Sequence, residues 1–108
     1  MLVNTPEAQT LSYANLVAMN VWRPGTYAGY RVDQPASLVI RQTPGMSRIS
    51  LSDPTQTGSV VEVVLPKAPF TRVKDTSRVT LVRQGKDLLV RADVRGLGGQ
   101  PLAFSLHK

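Results

Sequence analysis

The chain has 108 residues, of which 42% are hydrophobic and 19% charged, and its formal net charge is +6. This length accommodates one hydrophobic core, and the composition is that of an ordinary globular domain, which argues against a disordered tail or a membrane protein. The absence of cysteine excludes disulfides, thiolate metal ligands and thiol nucleophiles, and no apolar run approaches the roughly 20 residues that span a bilayer.

The first third of the chain predicts two short strands followed by a loop. An apolar stretch favours strands around residues 9–12 and 16–21, with one helical turn as the alternative. Residues 22–29 have the Pro and Gly content of a loop, and residues 30–32 predict a short extension. The first residues contain no basic region followed by an apolar core, so they do not predict a secretory signal.

Beyond residue 36, apolar and polar residues alternate with a period of two, which is typical of half-buried strands. The elements predicted there are a hairpin at 38–40 and 49–51 around a turn at 43–45, a turn at 53–58, a central strand at 60–65, a second hairpin at 79–81 and 88–94 around a turn at 84–87, a flexible turn at 96–99, and a last strand at 102–107. About seven or eight short strands predict an all-β fold, a two-layer antiparallel β-sandwich that forms one domain over residues 1–108.

The positive charge favours encounters with polyanions, among them nucleic acid, anionic membrane and acidic polysaccharide. The basic residues are scattered along the chain rather than gathered in a run, so a merely solvated surface remains an equal alternative. No strand shows the interleaved aromatic residues of a single-stranded nucleic-acid binder. We therefore expect neither nucleic acid nor a membrane as the partner.

Outward-facing arginines are the first candidate ligand-binding residues. Arg91 and Arg95 fall on the polar side of the predicted strand at 88–94, about 13 Å apart by strand rise. Arg48 alternates outward in the same way in the first hairpin. A guanidinium matches carboxylate or sulfate in a planar fork. The competing interpretation is that Asp93, between the first two arginines, neutralises this stripe.

Trp22 is the remaining candidate ligand-binding residue. With Tyr27 and Tyr30 it surrounds a Pro-Gly loop, and exposed aromatic rings stack on sugar rings. The alternative is that these rings fill the core, which is the commoner fate of a lone tryptophan.

The sequence offers little material for catalysis, and we expect no catalytic residue, metal site or cofactor. The only histidine, His107, is the penultimate residue and is expected to be an exposed strand-end side chain. The seven carboxylates form no metal-binding or acid–base motif. Asp53, before Pro54, is better explained as a turn device that accepts backbone N–H groups than as a ligand. No helix follows Gly96-Leu97-Gly98-Gly99 to complete a phosphate loop.

Several segments together resemble the C-terminal domain of polysaccharide lyase family 8, which contains hyaluronate, chondroitin AC and xanthan lyases. The segments are a strand that runs into an SDPTQ turn at residues 49–56, the N-terminal Asn4-Thr5-Pro6-Glu7-Ala8-Gln9, the aromatic-then-Gly segment at 16–26, and the strand at 34–40. Their order and spacing cover nearly the whole chain.

The resemblance implies that the chain is the C-terminal module of a large, exported bacterial enzyme that cleaves uronic-acid polysaccharides by β-elimination, a carbon-oxygen lyase. Catalysis in that family uses asparagine, histidine and tyrosine on an α-helical domain that no segment here resembles. The resemblance therefore implies no catalytic residue in this chain, a secreted parent, and the parent's other domains as partners, with acidic polysaccharide as a further partner. The alternative is an autonomous carbohydrate-binding module that tethers its parent to acidic polysaccharide.

Overall fold

Alternating apolar residues assemble the chain into β-strands throughout. The computed structural model describes residues 2–4, 8–56 and 60–108, and every regular element within them is a strand. The strands are β1 (Leu2–Asn4), β2 (Ala8–Tyr13), β3 (Leu16–Val21), β4 (Gly25–Tyr27), β5 (Tyr30–Val32), β6 (Ala36–Thr43), β7 (Met46–Ser52), β8 (Val60–Leu65), β9 (Arg72–Lys74), β10 (Val79–Gln84), β11 (Asp87–Asp93) and β12 (Leu102–His107). None of the described residues belongs to a helix that is long and apolar enough to cross a membrane.

The strands form two antiparallel sheets that pack face to face. The seven-stranded sheet has the order β1-β2-β3-β6-β7-β12-β9, and the five-stranded sheet has the order β10-β11-β8-β5-β4. The domain measures 34 × 33 × 21 Å, and its shortest dimension fits two sheets about 10 Å apart with one layer of side chains outside each. The predicted two-layer antiparallel β-sandwich is confirmed.

Period-two alternation determines which side of each sheet is buried. In β11, Leu88, Val90 and Ala92 are each at most 2% exposed, while Arg91 between them is exposed. The core that both sheets enclose is aliphatic, with two phenylalanines, and its largest fully buried apolar side chains are Leu51, Leu88, Leu106, Val21, Val32 and Val61. This core holds the two layers together without disulfides.

Two tight turns fix the register of the predicted hairpins. Between β6 and β7, Pro44 presets φ for the first central position and Gly45 has φ +80°, the combination of a type II turn. Between β10 and β11, Gly85 has φ +64° and precedes Lys86. The first turn places Arg41 directly opposite Arg48, and the predicted central strand, β8, lies between β11 and β5.

Twelve strands occur where about seven or eight were expected, because several strands are too short to show an alternation. The predicted loop at 22–29 contains β4, and β1 and β9 were not predicted; each of these three strands has three residues. Residues 5–7 of the N-terminal segment and residues 57–58 of the predicted turn at 53–58 lie outside the described residues.

Candidate functional site

The outer face of the five-stranded sheet carries Arg91, and its guanidinium already has a partner. Arg91 Nε donates a hydrogen bond of 3.1 Å to Glu62 Oε2 on the neighbouring β8. The pair sits side by side in the sheet register, since Arg91 is aligned with Glu62. A ligand carboxylate at Arg91 has to compete with this protein carboxylate. That Arg91 binds a ligand remains a prediction.

Arg95 is also paired. We expected it on the same strand face as Arg91, but the structure does not place it there. β11 ends at Asp93, and Arg95 lies in the turn that follows, since the chain leaves the sheet there. Its Nε and Nη2 donate to the two carboxylate oxygens of Asp93 at 3.0 and 2.7 Å, and its backbone N–H donates at 3.0 Å. These hydrogen bonds hold the pKa of Asp93 at about 2, below its ordinary value. The geometry agrees with the alternative that Asp93 neutralises the stripe.

Arg48 lies on the opposite side of the molecule, on the outer face of the seven-stranded sheet. The candidate arginines are therefore not brought together in one site: Arg91 lies in the five-stranded sheet, Arg95 in the turn that follows β11, and Arg48 in the seven-stranded sheet. Arg48 instead faces Arg41 across the β6–β7 pair. Among the described residues, neither guanidinium makes a hydrogen bond or ion pair. Sequence reasoning did not single out Arg41, although it lies two residues before the turn at 43–45 and Arg48 lies three residues after it.

The row that contains Arg41 and Arg48 continues across the sheet to a third cation. Arg48 is aligned with Ser105 of β12, and Ser105 is aligned with Lys74 of β9. We call Arg41, Arg48 and Lys74 the basic row. Lys74 could not be predicted as part of it, because β9 was not predicted. Two strand spacings separate Arg48 from Lys74, about 10 Å.

One open depression is lined by two members of the basic row, and a second depression adjoins the first. One, of about 500 Å³, is lined by Val39, Arg41, Arg48, Ile49, Ser50, Asp75, Ala103 and Phe104. The other, of about 280 Å³, shares Val39 and Ser50 with the first and extends past Ala18, Asn20, Ser37 and Ser52 towards Gln9 and Leu11. The small outward side chains of neighbouring strands produce this relief, because the backbone between larger residues is left uncovered. The surface is shallow and offers hydroxyl and amide groups.

Trp22 is 49% exposed and follows directly after β3, so it does not fill the core. Tyr27 and Tyr30 differ from it, because both pack against the core. The Tyr27 hydroxyl donates to the carbonyl of Arg23 at 3.0 Å, and burial raises the pKa of Tyr30. The three rings therefore do not form a common aromatic platform. A ligand-binding role for Trp22 remains a prediction.

His107 has a more specific environment than an exposed strand end. Its Nε2 lies 2.9 Å from the hydroxyl of Ser105, which donates a 2.9 Å hydrogen bond to Asp75 Oδ2. When the single hydroxyl proton of Ser105 is given to the carboxylate, the Nε2–H tautomer of His107 donates to the serine oxygen. Ser105 is also only 3% exposed. A nucleophile needs an accessible oxygen and a base that takes its proton, so this cluster lacks the arrangement of a serine nucleophile.

The two remaining candidate motifs, Asp53 and Gly96-Leu97-Gly98-Gly99, lie in turns. Asp53 is 6% exposed, and its Oδ1 accepts hydrogen bonds from the backbone N–H of Thr55 at 2.8 Å and from its hydroxyl at 2.6 Å. The prediction that Asp53 is a turn device is confirmed. Gly96-Leu97-Gly98-Gly99 forms successive turns between β11 and β12. Within the described ranges, no three His, Asp or Glu side chains are grouped so that they could hold a metal ion.

Comparison with known proteins gives the family of this sandwich. Residues 1–62 match the family model described as the polysaccharide lyase family 8, C-terminal beta-sandwich domain. The chain is 34% identical over 101 residues to a hyaluronate lyase from Thermasporomyces composti, an alignment that covers 92% of this chain and 13% of that protein. The chain belongs to this C-terminal domain family of polysaccharide lyase family 8.

Solved structures of polysaccharide lyases contain a region with the same fold as this C-terminal family domain. The chondroitin AC lyase of Streptomyces coelicolor A3 superposes with a TM-score of 0.80 at 24% identity, over 98% of this chain and 14% of that one. A Paenibacillus xanthan lyase superposes with a TM-score of 0.70 at 18% identity, over 95% and 11%. The hyaluronate lyase HylA of Cutibacterium acnes is 27% identical over 85 residues, 79% of this chain and 10% of that protein. The chain thus spans between 10% and 14% of the length of these relatives.

Proposed function

We propose that this chain is a non-catalytic domain of a secreted polysaccharide lyase, in which it supports the catalytic domains and helps to guide an anionic glycan. Two observations support the proposal. The chain belongs to the C-terminal domain family and covers 13% of a hyaluronate lyase, so most of such a parent lies elsewhere. The parent, in this proposal, cleaves a uronic-acid polysaccharide by β-elimination.

The arrangement of Ser105, His107 and Asp75 carries the non-catalytic part of the proposal. It is the one grouping of nucleophilic, basic and acidic side chains that the hydrogen bonds of the described residues reveal, and its serine is buried with its proton given to the carboxylate. β-Elimination requires a base that reaches a sugar C–H proton. With His107 Nε2 engaged by Ser105, only Nδ1 is left to act as that base, and no side chain of the described residues hydrogen-bonds Nδ1 to orient it.

A turnover assay tests the proposal. The purified chain is incubated with hyaluronan, chondroitin sulphate and xanthan, and unsaturated products are followed by their ultraviolet absorbance. We expect no product above the rate of a boiled sample. Product that persists through repeated purification and disappears in the His107→Ala variant would overturn the proposal, since it would place a catalytic base in this domain.

The autonomous carbohydrate-binding module is the second candidate, and the unpaired cations of the basic row favour it. The two functions differ in how strongly the isolated chain binds. A tether has to hold the glycan by itself, whereas a guiding domain forms only one wall of a cleft. Titration calorimetry at low salt separates them: saturable, tight binding by the chain alone supports the tether, and weak binding supports the guiding role.

A further inference from the structure

Charge is distributed unequally between the two outer faces of the sandwich. The three ion pairs found among the described residues all involve the five-stranded sheet or its flanking turns: Arg31 with Asp33, Arg91 with Glu62, and Arg95 with Asp93. That side is therefore largely neutralised by its own carboxylates. The outer positions of the seven-stranded sheet carry the basic row and no carboxylate in a described strand. An anion is attracted to this second face.

The partners of the nine arginine side chains indicate the same face of the sandwich. Arg31, Arg91 and Arg95 are in ion pairs, while three others donate to backbone carbonyls and so stabilise turns and strand ends: Arg72, Arg78 and Arg83. Within residues 8–56 and 60–108, the guanidinium groups of Arg23, Arg41 and Arg48 are left without a hydrogen-bonded or ionic partner, and the last two residues are aligned across one strand pair. Like charges directly opposite each other in a sheet are unfavourable. A bound anion between them relieves this repulsion.

One carboxylate, Asp75, lies beside the basic row, and it is not ion-paired with the arginines of the row. Asp75 lines the same depression as Arg41 and Arg48, yet its Oδ2 accepts the hydroxyl hydrogen bond of Ser105 at 2.9 Å. Among the described side chains it forms no ion pair with either arginine. Asp75 directly follows β9, so it borders the depression on the side away from β6. A ligand anion reaches the two guanidinium groups from the opposite side, which is open to solvent.

The surface next to the basic row has the chemistry of a sugar-binding surface. The adjoining depressions are shallow and are lined by Ser37, Ser50, Ser52 and Asn20, with Val39 between them. The Ser37 hydroxyl and the Asn20 side-chain oxygen are linked by a 2.8 Å hydrogen bond, which orders polar groups at this end. Small polar side chains leave room for pyranose rings and offer donors and acceptors to their hydroxyls. An interface with a protein is richer in large aromatic side chains at its centre.

We infer that the basic row binds the carboxylate or sulfate groups of an acidic polysaccharide, whose sugar rings lie in the depressions between β3 and β12. This inference rests on the proposed function, since it deepens the guiding role by naming its surface and ligand class. Arg41 and Arg48 supply planar forks to one anionic group, and Lys74, about 10 Å from Arg48, attracts a second.

Affinity electrophoresis in gels that contain hyaluronan, chondroitin sulphate or neutral dextran tests the inference at low and high salt. Hyaluronan offers carboxylates alone and chondroitin sulphate adds sulfates, so the two gels separate the two anions. We expect retardation by at least one acidic polysaccharide, weakened by salt, and none by dextran. Arg41→Gln/Arg48→Gln is expected to weaken binding at least about tenfold, the loss of about one charge-assisted hydrogen bond.

The matched control also removes two positive charges, but from positions outside the basic row. Arg31→Gln/Lys86→Gln changes one exposed cation on the five-stranded sheet and one in a hairpin turn, and it is expected to change binding less than about threefold. Arg41→Lys/Arg48→Lys keeps the charge and removes the forks, so an intermediate loss is expected. Circular dichroism verifies that each variant is folded.

Three results would overturn the inference: equal losses in the Arg41→Gln/Arg48→Gln variant and its control, no retardation by any acidic polysaccharide, or equally strong binding of polyglutamate, which would assign the row to an acidic protein. The turnover assay tests the non-catalytic role by itself, so that role stands or falls independently of these results. Loss of the specific effect of Arg41 and Arg48 overturns only the inference, whereas absence of retardation by every acidic polysaccharide also removes the guiding role and leaves the supporting one.

Discussion

Replacing Asp53 by alanine measures what the turn after β7 contributes to stability. Asp53 is the one carboxylate that is buried among the described residues, at 6% exposure, and its Oδ1 accepts two hydrogen bonds from Thr55, at 2.8 and 2.6 Å. A hydrogen bond to a charged group contributes about 1.5–3 kcal/mol. Because the hydroxyl of Thr55 can rotate to water after the substitution while the backbone N–H is fixed, we expect a loss of about 3 kcal/mol for the pair.

Urea denaturation measures this loss. With a slope of about 2 kcal/mol per molar urea, Asp53→Ala lowers the unfolding midpoint by about 1.5 M. Asp53→Asn keeps an acceptor oxygen but not the charge, so about half of the effect is expected. The control is Asp33→Ala, which removes an ion pair with Arg31 whose side chains are each 51% exposed and is expected to cost less than about 0.5 kcal/mol. A midpoint for Asp53→Ala that equals that of Asp33→Ala would refute the turn role.

Further predictions concern pH, the core and the turns. The pKa of Asp93 is about 2 when folded and has an ordinary value of 3.8, so its stabilising effect is present above about pH 4 and lost as the pH falls through 2; the stability difference between the wild type and Asp93→Asn, measured in urea, should therefore shrink below pH 4 and disappear only below pH 2. Leu106, at 0% exposure, should cost about 2–5 kcal/mol when replaced by alanine, and an unchanged thermal midpoint would contradict the core assignment. Gly99→Ala should lower the melting temperature more than Gly45→Ala, because both have φ of at least +80° but only a Cβ at Gly99 meets a side chain, 2.8 Å from Gln56 Cγ.

The sandwich was predictable because each of its longer strands buries one of its two faces. This burial requires apolar and polar residues to alternate along the sequence. Alternation in residues 38–51 and 79–94 predicts both hairpins, and the turn residues Pro44 and Gly45 predict the first connection. The three-residue strands were not predictable, since three residues hold only one full alternation. Arg72–Lys74 becomes a strand only because β12 lies beside it, more than thirty residues along the chain.

The candidate site was less predictable, because it depends on which strands become neighbours. Nothing local to Arg91 indicates that Glu62, 29 residues earlier, pairs with it. The outward direction of Arg91 was predicted correctly from the alternation, but its ion pair follows from the order of the sheet. Arg41 is different, since the turn at Pro44-Gly45 sets its alignment with Arg48, and the register of that hairpin could have been worked out from the sequence.

Mapping the bound glycan on the domain by NMR tests most directly the claim that this accessory domain presents one glycan-guiding face. The ¹⁵N-labelled chain is titrated with an acidic oligosaccharide of hyaluronan or chondroitin sulphate at low salt, and the amide shifts are followed. We predict that the shifts concentrate on β6, β7 and β9 around Arg41, Arg48 and Lys74, with little change on β11. Shifts that concentrate around Arg91 and Glu62 on the five-stranded sheet instead would contradict the account.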